Sequence, residues 1–354
     1  MSMPLLQRHY LKHFLKLFLI TCAGLALILS LVDLVENLDE VLPQAASVQD
    51  IFLFPLFNLP KYLSYIMPLA ALLSSLYTLG QASRKKEIVA IMAGGGRVKR
   101  LLIPFILTGV ILSLLGFALN EFVVPDASRK AKDIKRSSAR PGRSIFSKGT
   151  IWLRAKDGSI VRMGIYLPDR DMAREVSVFE LKDGALRRRI EAEEAAYESG
   201  AWALKNAVVY DMENTSVEKL KAFNFPHLEP PEFLEEDVRS PEEMGLMELI
   251  SYVRKLDEAG LRNVKLVVDM HSKMSYPLTN LFMLIIGISF SVRRGLGGLL
   301  AGAVGILISL LYWFGYSMSL SLGYASILPP FAAAWLAPVL FSAIAVYLFM
   351  TVPE

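Results

Sequence analysis

The chain has 354 residues, of which 53% are apolar and only 20% are charged. Its mean hydropathy of +0.41 is higher than ordinary soluble domains reach, so the composition argues against a soluble protein and indicates a membrane protein. The net charge of +4 averages two unlike regions, because residues 126–270 hold 25 Lys+Arg and 26 Asp+Glu and the other 209 residues hold 13 and 8. This balance gives no indication of nucleic-acid binding, and a single cysteine, Cys22, excludes an internal disulfide.

Six apolar runs are long enough to cross a bilayer, whose hydrocarbon core of about 30 Å needs about 20 helical residues. They form two groups of three, separated by the charged region. The predicted spans are residues 14–34, 56–79, 101–123, 276–292, 299–322 and 331–350. The sequence therefore predicts an α-helical membrane protein with six transmembrane helices in a 3+3 arrangement.

Basic residues indicate the orientation of these spans. With a cytoplasmic N-terminus, only Lys61 and Lys273 fall on the outer side apart from the inserted domain. The inner side then receives eleven basic residues: Arg8, Lys12, Lys16, Arg84, Lys85, Lys86, Arg97, Lys99, Arg100, Arg293 and Arg294. The positive-inside rule predicts cytoplasmic N- and C-termini and a periplasmic insert. A cleavable signal peptide is the alternative for the N-terminus, but the apolar run is long and lacks a clear cleavage site.

A short segment joins the second and third spans on the predicted cytoplasmic side. Three basic residues and Glu87 precede the apolar string IVAIMA, which ends in Gly94-Gly95-Gly96. This order predicts a short helix at about 84–96, because an acidic residue suits a helix start and glycine suits its end. Its apolar residues face either a partner protein or anionic lipid. The phosphate-binding pattern GxxxxGK[ST] is absent, so the chain is not expected to hydrolyse ATP itself.

The charged region contains short β-rich segments. IWLRA, VRMGIYL and VSVFELK are separated by turns such as Asp157-Gly158 and Asp183-Gly184. They predict an all-β domain at 126–239 with an antiparallel meander, for which a sandwich, a jelly roll and an open β-solenoid are alternatives. The apolar positions predicted to form an inner face are Ile151, Leu153, Ile160, Val176, Val178 and Phe179.

Residues 240–273 are predicted to form a linking helix, which leads into the second membrane half at 274–354. Ser240-Pro241-Glu242-Glu243 is typical of a helix start, and the helix is expected to end near Glu258.

Sites for chemistry are not evident in the sequence. His9 and His13 are four residues apart, but they lie among basic residues typical of an interfacial helix rather than a metal site. HExxH and GxSxG patterns are absent. We therefore expect no catalytic residues, no metal ligands and no cofactor.

Several segments resemble, in order along nearly the whole chain, the lipopolysaccharide-export permeases of the LptF/LptG family. KKEIVAIMAGGGRVKRL is similar to the cytoplasmic coupling helix of the family. The other segments are QRHYLKHFLKLFL, NEFVVPDASRKAK, HSKMSYPLTNLFMLIIGISFSVRRG and LPPFAAAWLAPVLF. SLVDLVENLDEVLP is more similar to the LptG than to the LptF branch.

The resemblance implies a half-transporter with a periplasmic, jelly-roll-like β-domain in the inner membrane of a Gram-negative bacterium. It implies pairing with a homologous permease, LptF, around a lipid-sized cavity. Two copies of the cytoplasmic ATPase LptB would bind the coupling helices and hydrolyse ATP, while LptC and LptA would receive the lipopolysaccharide. The residues implied for ATPase coupling are Glu87, Ile88, Ile91 and Met92.

The lipid would be bound at two places. Family members carry basic residues at the outer end of the first span, but this chain has acidic ones there, such as Asp33 and Glu36. The cations expected to meet lipid phosphates are instead Arg129, Lys130, Lys132 and Lys135. The β-domain would carry the acyl chains. The alternative function is a membrane-anchored envelope scaffold or sensor with a ligand-binding β-domain.

Overall fold

The computed structural model describes residues 3–38, 48–137, 151–155, 157–167, 171–182, 185–198, 201–212, 216–228, 240–258, 263–294 and 299–353. These residues divide into two compact units. One is helical and comprises the described residues up to Ile134 and from Pro241 onward; the other runs from Lys135 to Ser240 and contains the sheet.

Ten α-helices are found in the described part of the helical unit. The first five are α1 (Met3–Glu36), α2 (Val48–Arg84), α3 (Glu87–Ala93), α4 (Val98–Ala118) and α5 (Val124–Ser137). The second five are α6 (Leu246–Glu258), α7 (Val264–Ser275), α8 (Thr279–Arg294), α9 (Leu299–Tyr324) and α10 (Pro330–Met350). A π-helical turn, Leu119–Val123, joins α4 to α5, and 3-10 turns lie at Pro241–Glu243 and Tyr276–Leu278.

Six helical stretches of the described residues are long and apolar enough to cross a membrane, which confirms the predicted 3+3 arrangement. They are Leu5–Glu36, Asp50–Arg84, Val98–Lys135, Val264–Arg293, Leu299–Tyr324 and Pro330–Met350. Several extend beyond the predicted apolar runs, because a helix continues past the apolar part of its sequence. The third continues through the π-helical turn into α5, and the fourth begins with α7, twelve residues before Tyr276.

The second and fourth spans form the centre of the helical unit. About two thirds of the most apolar part of each is buried, against 22% for the first and fifth. Glycine permits their close approach: a Cβ on Gly287 of α8 would lie 1.9 Å from Ser75 Oγ and 3.0 Å from Leu72 O of α2. Ser291 Oγ also donates a hydrogen bond to Leu76 O at 3.1 Å. Small residues thus hold α2 and α8 together, as is common in membrane helices.

The β unit contains one antiparallel sheet in the described residues, which confirms the predicted all-β insert. Its strands are β1 (Ile151–Arg154), β2 (Ile160–Leu167), β3 (Met172–Lys182), β4 (Ala185–Glu198), β5 (Ala201–Asp211) and β6 (Ser216–Phe225). They pair in the order β1-β2-β3-β4-β5-β6, so the insert is a meander. This order lacks the Greek-key crossover of a jelly roll in the strict sense, and it narrows the jelly-roll-like prediction to a single meandering sheet.

Two strands were less evident from sequence than the others. β4 begins with a charged stretch, ALRRRIEAEE, that the sequence did not predict as strand. Only its last four residues, AAYE, were predicted, joined to AWALKNAVVYD by a turn at Ser199-Gly200. β6 was not predicted, because nearly all of it is exposed and its apolar residues do not alternate regularly. β6 pairs with β5 on one side and lies at the edge of the described sheet, so no described strand covers its other side.

An irregular row crosses the middle of the sheet, formed by Gly164, Glu175, Glu193 and Asn206. The flanking pairs, such as Met163 with Val176 and Ala192 with Ala207, place these four residues opposite one another. Glu175 and Asn206 both have φ of +53°, in the left-handed region. A Cβ on Gly164 would lie 2.9 Å from Glu175 Cβ, which is closer than two such atoms approach, so glycine suits the position beside this conformation.

Candidate functional site

The segment between α2 and α4 forms a compact turn around α3. Lys86 separates α2 from α3 because its φ of +60° leaves the right-handed helical region. After α3, Gly95 has a φ of +77°, and Gly95 and Gly96 donate backbone hydrogen bonds to the carbonyls of Met92 and Ile91. The seven residues of α3 thus lie within the range 84–96 that the sequence predicted.

The two faces of α3 differ in exposure. Ile88 is only 2% exposed and packs in a cluster that contains Tyr10, Phe14 and Leu101. Ile91 and Met92 are half-buried against the same cluster. Among the residues expected to contact a partner, Ile88 therefore attaches α3 to the protein's own core and is not accessible.

An exposed surface, which we call the coupling surface, lies on the remaining side of α3. Val89 is 54% exposed, and the exposed residues near it are small or charged. Val89 is one of the apolar residues of IVAIMA that the sequence predicted to face a partner or lipid, but it was not among the four residues expected to couple to the ATPase, since consecutive apolar positions do not reveal which one is buried. The coupling surface consists of Val89, Ala90 and Ala93 with the exposed cations Arg84, Lys85 and Lys86.

Glu87 is held at the edge of this surface by the first helix. The Tyr10 hydroxyl donates a hydrogen bond to Glu87 Oε2 at 2.6 Å. A second contact lies nearby, where Gln7 Nε2 donates to the carbonyl of Arg100 at 2.7 Å. The start of α1 is thus bound both to α3 and to the start of α4.

A second candidate site, the junction cluster, lies where α5 meets the residues that follow the β unit. Arg129 contacts Glu248 at 2.5 Å and donates from Nε to the carbonyl of Glu243 at 2.9 Å. Lys132 Nζ lies 2.6 Å from Glu243 Oε1. Two of the four cations expected to meet lipid phosphates therefore form ion pairs within the protein.

Further contacts fix the same segment. The Glu121 carboxylate accepts hydrogen bonds from the backbone N–H groups of Leu246 at 2.5 Å and Met247 at 3.3 Å, which caps α6. A Cβ on Gly245 would lie 3.0 Å from Glu121 Oε1, so this glycine permits the close approach. Lys273 Nζ donates to the carbonyl of Met244 at 2.8 Å. Residues 243–248 are thus joined to the third span through Glu121 and to the fourth through Lys273.

The other two expected cations are placed differently. Lys130 is exposed, and its Nζ lies 5.5 Å from the centroid of the Phe57 ring. Lys135 is half-buried near the end of α5. The ion pairs of Arg129 and Lys132 were missed from sequence, because their acidic partners are more than 100 residues away in the chain.

The expected acyl-path residues of the β unit divide between two faces of the sheet. Val176 and Val178 are buried with Val161, Met163 and Trp202 in the core. Ile160 and Phe179 stand opposite each other in the register and alternate with those residues, so they lie on the other face. The side chains of Ile151 and Leu153 lie outside the described residues. The six expected residues therefore do not share a single apolar face.

Comparison with known proteins identifies similar sequences along most of the chain. The profile of the family described as "Lipopolysaccharide export system permease LptF/LptG" matches residues 8–351. The lipopolysaccharide export system permease protein LptG of Escherichia coli strain K12 is 22% identical over 277 residues, which cover 75% of this chain and 76% of the relative. The LptG of Haemophilus influenzae strain Rd is 23% identical over 309 residues, 83% of each chain.

Proposed function

The chain belongs to the lipopolysaccharide export permease family LptF/LptG, and we propose that it acts as the LptG-like subunit of an ABC transporter. It is a multi-pass inner-membrane permease subunit for lipopolysaccharide export, a transport protein rather than an enzyme. The observation that carries the assignment is the match over nearly the whole chain, which includes both groups of three spans and the β insert. The match favours the permease over the envelope scaffold or sensor.

In this proposal the protein pairs with an LptF homologue and extracts lipopolysaccharide from the inner membrane. Two LptB subunits bind from the cytoplasm and hydrolyse the ATP. LptC and LptA receive the lipid on the periplasmic side, where the β unit lies. The distribution of basic residues between the spans supports this orientation, because eleven of them fall on the side of α3.

The coupling surface is the proposed contact with the ATPase. Val89 supplies an exposed apolar side chain, and Ala90 and Ala93 allow close approach of a partner backbone. The Glu87 carboxylate at the edge can accept hydrogen bonds from an arginine of the partner, with Ile91 and Met92 contributing their accessible parts.

The test is copurification of LptB with the V89R variant. A charged, longer side chain at the centre of the coupling surface is expected to reduce the retained ATPase at least tenfold. The matched control is M247R, which changes an exposed apolar residue of α6 away from α3. Equal retention of the ATPase by both variants would contradict docking at α3.

The lipid head group is proposed to bind near Arg129, Lys130, Lys132 and Lys135. Basic residues near a membrane surface attract anionic lipid by about 1 kcal/mol each. Lys130 is exposed beside the Phe57 ring, whereas Arg129 and Lys132 are engaged in ion pairs, so K130Q with K135Q is a sharper test than changes at Arg129 or Lys132. We expect several-fold less lipopolysaccharide to copurify, and unchanged recovery would contradict this site.

The buried face of the sheet is the proposed acyl path. Val176 and Val178 are buried in the described structure. Photoreactive side chains at these two positions are therefore expected to crosslink lipid only during ATP turnover. The same side chains at Ile160 and Phe179 are the controls on the opposite face. Equal crosslinking from both faces would contradict a path along the core side of the sheet.

A further inference from the structure

We propose that Tyr10 is a positioning residue for Glu87 and that it transmits movement of the coupling surface to the first span. The proposal rests on the proposed function, since it assigns a role in energy coupling to a side chain that does not itself reach the coupling surface. It is carried by a contact between residues 77 positions apart, Tyr10 on α1 and Glu87 on α3.

The geometry suits a fixed contact. Tyr10 is 6% exposed, and its hydroxyl lies 2.6 Å from Glu87 Oε2. A hydrogen bond to an ionised carboxylate is stronger than one between neutral groups. It holds one carboxylate oxygen, so the rotamer of Glu87 is fixed while the other oxygen is available to a cation of the partner.

The same contact connects α3 to α1 mechanically. Ile88, adjacent to Glu87, packs in the cluster that contains Tyr10 and Phe14, and Gln7 of α1 is bonded to Arg100 of α4. Any displacement of α3 must therefore carry the start of α1 with it or break the hydrogen bond. Because only 22% of the most apolar part of the first span is buried, that span presents most of its surface outward and can move with α3.

Two substitutions separate the two roles of Glu87. Y10F removes the hydroxyl and keeps the ring in its cluster, so the carboxylate loses its intramolecular donor but keeps its charge. E87Q keeps an oxygen that accepts from Tyr10 but removes the charge for an arginine of the partner. A merely structural role of Tyr10 would lower the stability of the complex and leave the lipid moved per ATP unchanged.

The experiment uses the full complex of both permeases with LptB and LptC in lipid nanodiscs. It measures retained ATPase, ATP hydrolysis and lipopolysaccharide delivered to LptA per ATP hydrolysed. Y10F is expected to retain the ATPase within twofold and to lower the lipid delivered per ATP at least fivefold. E87Q is expected to lower ATPase retention, and the double variant to lose less than the product of the two single losses. The control is Y347F, an exposed tyrosine on α10.

The outcomes distinguish this proposal from the proposed function. If the wild-type complex delivers lipid and Y10F delivers as much per ATP, the role of Tyr10 is overturned while the permease function stands. If Y10F loses the ATPase instead, Tyr10 only supports docking, which also overturns transmission. If the wild-type complex neither retains LptB nor delivers lipid, the proposed function itself fails.

Discussion

Glu243 is an acidic residue whose environment depends on residues distant in the chain. Its side chain is 7% exposed, and its carboxylate lies beside the Lys132 ammonium. Removing a carboxylate from water is costly unless a cation compensates for the lost hydration. Lys132 therefore has a structural role in addition to any role in lipid binding.

This environment predicts a difference between two neighbouring lysines. K132Q removes the cation beside the buried Glu243 carboxylate and is expected to lower the free energy of unfolding by about 1–3 kcal/mol. K130Q removes an exposed cation of the same helix and is expected to change it by less than about 0.5 kcal/mol. Thermal unfolding in detergent measures both, and equal melting temperatures would contradict the importance of the pair.

Among the elements, the contact between α2 and α8 depends on the absence of a single side chain. Gly287 is followed one turn later by Ser291, whose hydroxyl also reaches α2. The hydroxyl of Ser75 occupies the space that a Cβ on Gly287 would need. The two most buried spans can be this close only because position 287 has no side chain.

G287A is therefore expected to separate the two helices and to lower the stability by about 1–3 kcal/mol, as overpacking does. The matched control is G302A on α9, where an added Cβ meets nothing within 4 Å. That change is expected to leave the melting temperature unchanged or to raise it slightly, since alanine favours helix over glycine. Equal changes in melting temperature in the two variants would contradict a steric role for the missing side chain at position 287.

In the irregular row of the sheet, position 206 is expected to accept glycine but not a β-branched residue. Asn206 adopts a left-handed conformation that costs a β-branched residue about 1–3 kcal/mol. N206V should therefore destabilise the chain, whereas N206G should not, although both lose the hydrogen bond from Asn206 Nδ2 to Glu193. Limited proteolysis and thermal unfolding compare the two. Equal resistance would indicate that the row relaxes without strain.

For the whole molecule, the structure supports an even number of spans. The start of α1 and the residues after α10 share one cluster, since Tyr10 and Val352 both pack in it, together with Ile88 of α3. The N-terminal helix, the end of the last helix and α3 thus belong to one end of the helical unit. The basic residues there predict that this end is cytoplasmic.

Labelling of single cysteines tests that orientation. The native Cys22 is buried and is expected to stay unlabelled, so the wild-type chain serves as background. K219C on the exposed strand β6 should react with a membrane-impermeant maleimide in cells whose outer membrane has been made permeable. K85C on the coupling surface should react only after the inner membrane is opened as well. The opposite result would reverse the assigned orientation.

The sequence by itself determined the features that depend on local composition. A run of about 20 mostly apolar residues predicts a membrane helix, because in lipid the backbone groups must be satisfied within the segment itself. Turn pairs such as Asp157-Gly158 likewise mark hairpins, and the glycines after Ala93 end a short helix. These signals gave the six spans, the all-β insert and the position of α3.

Only the tertiary structure decided which side of each element meets its neighbours. Periodicity could not show that Ile88 is buried and Val89 exposed, nor which of the neighbours Val178 and Phe179 faces the core of the sheet. The ion pairs of Lys132 and Arg129 and the bond between Tyr10 and Glu87 join residues 77 to 119 positions apart. Such contacts arise from packing, because the energy of a charge or hydroxyl depends on what folding brings beside it and not on its neighbours in the chain.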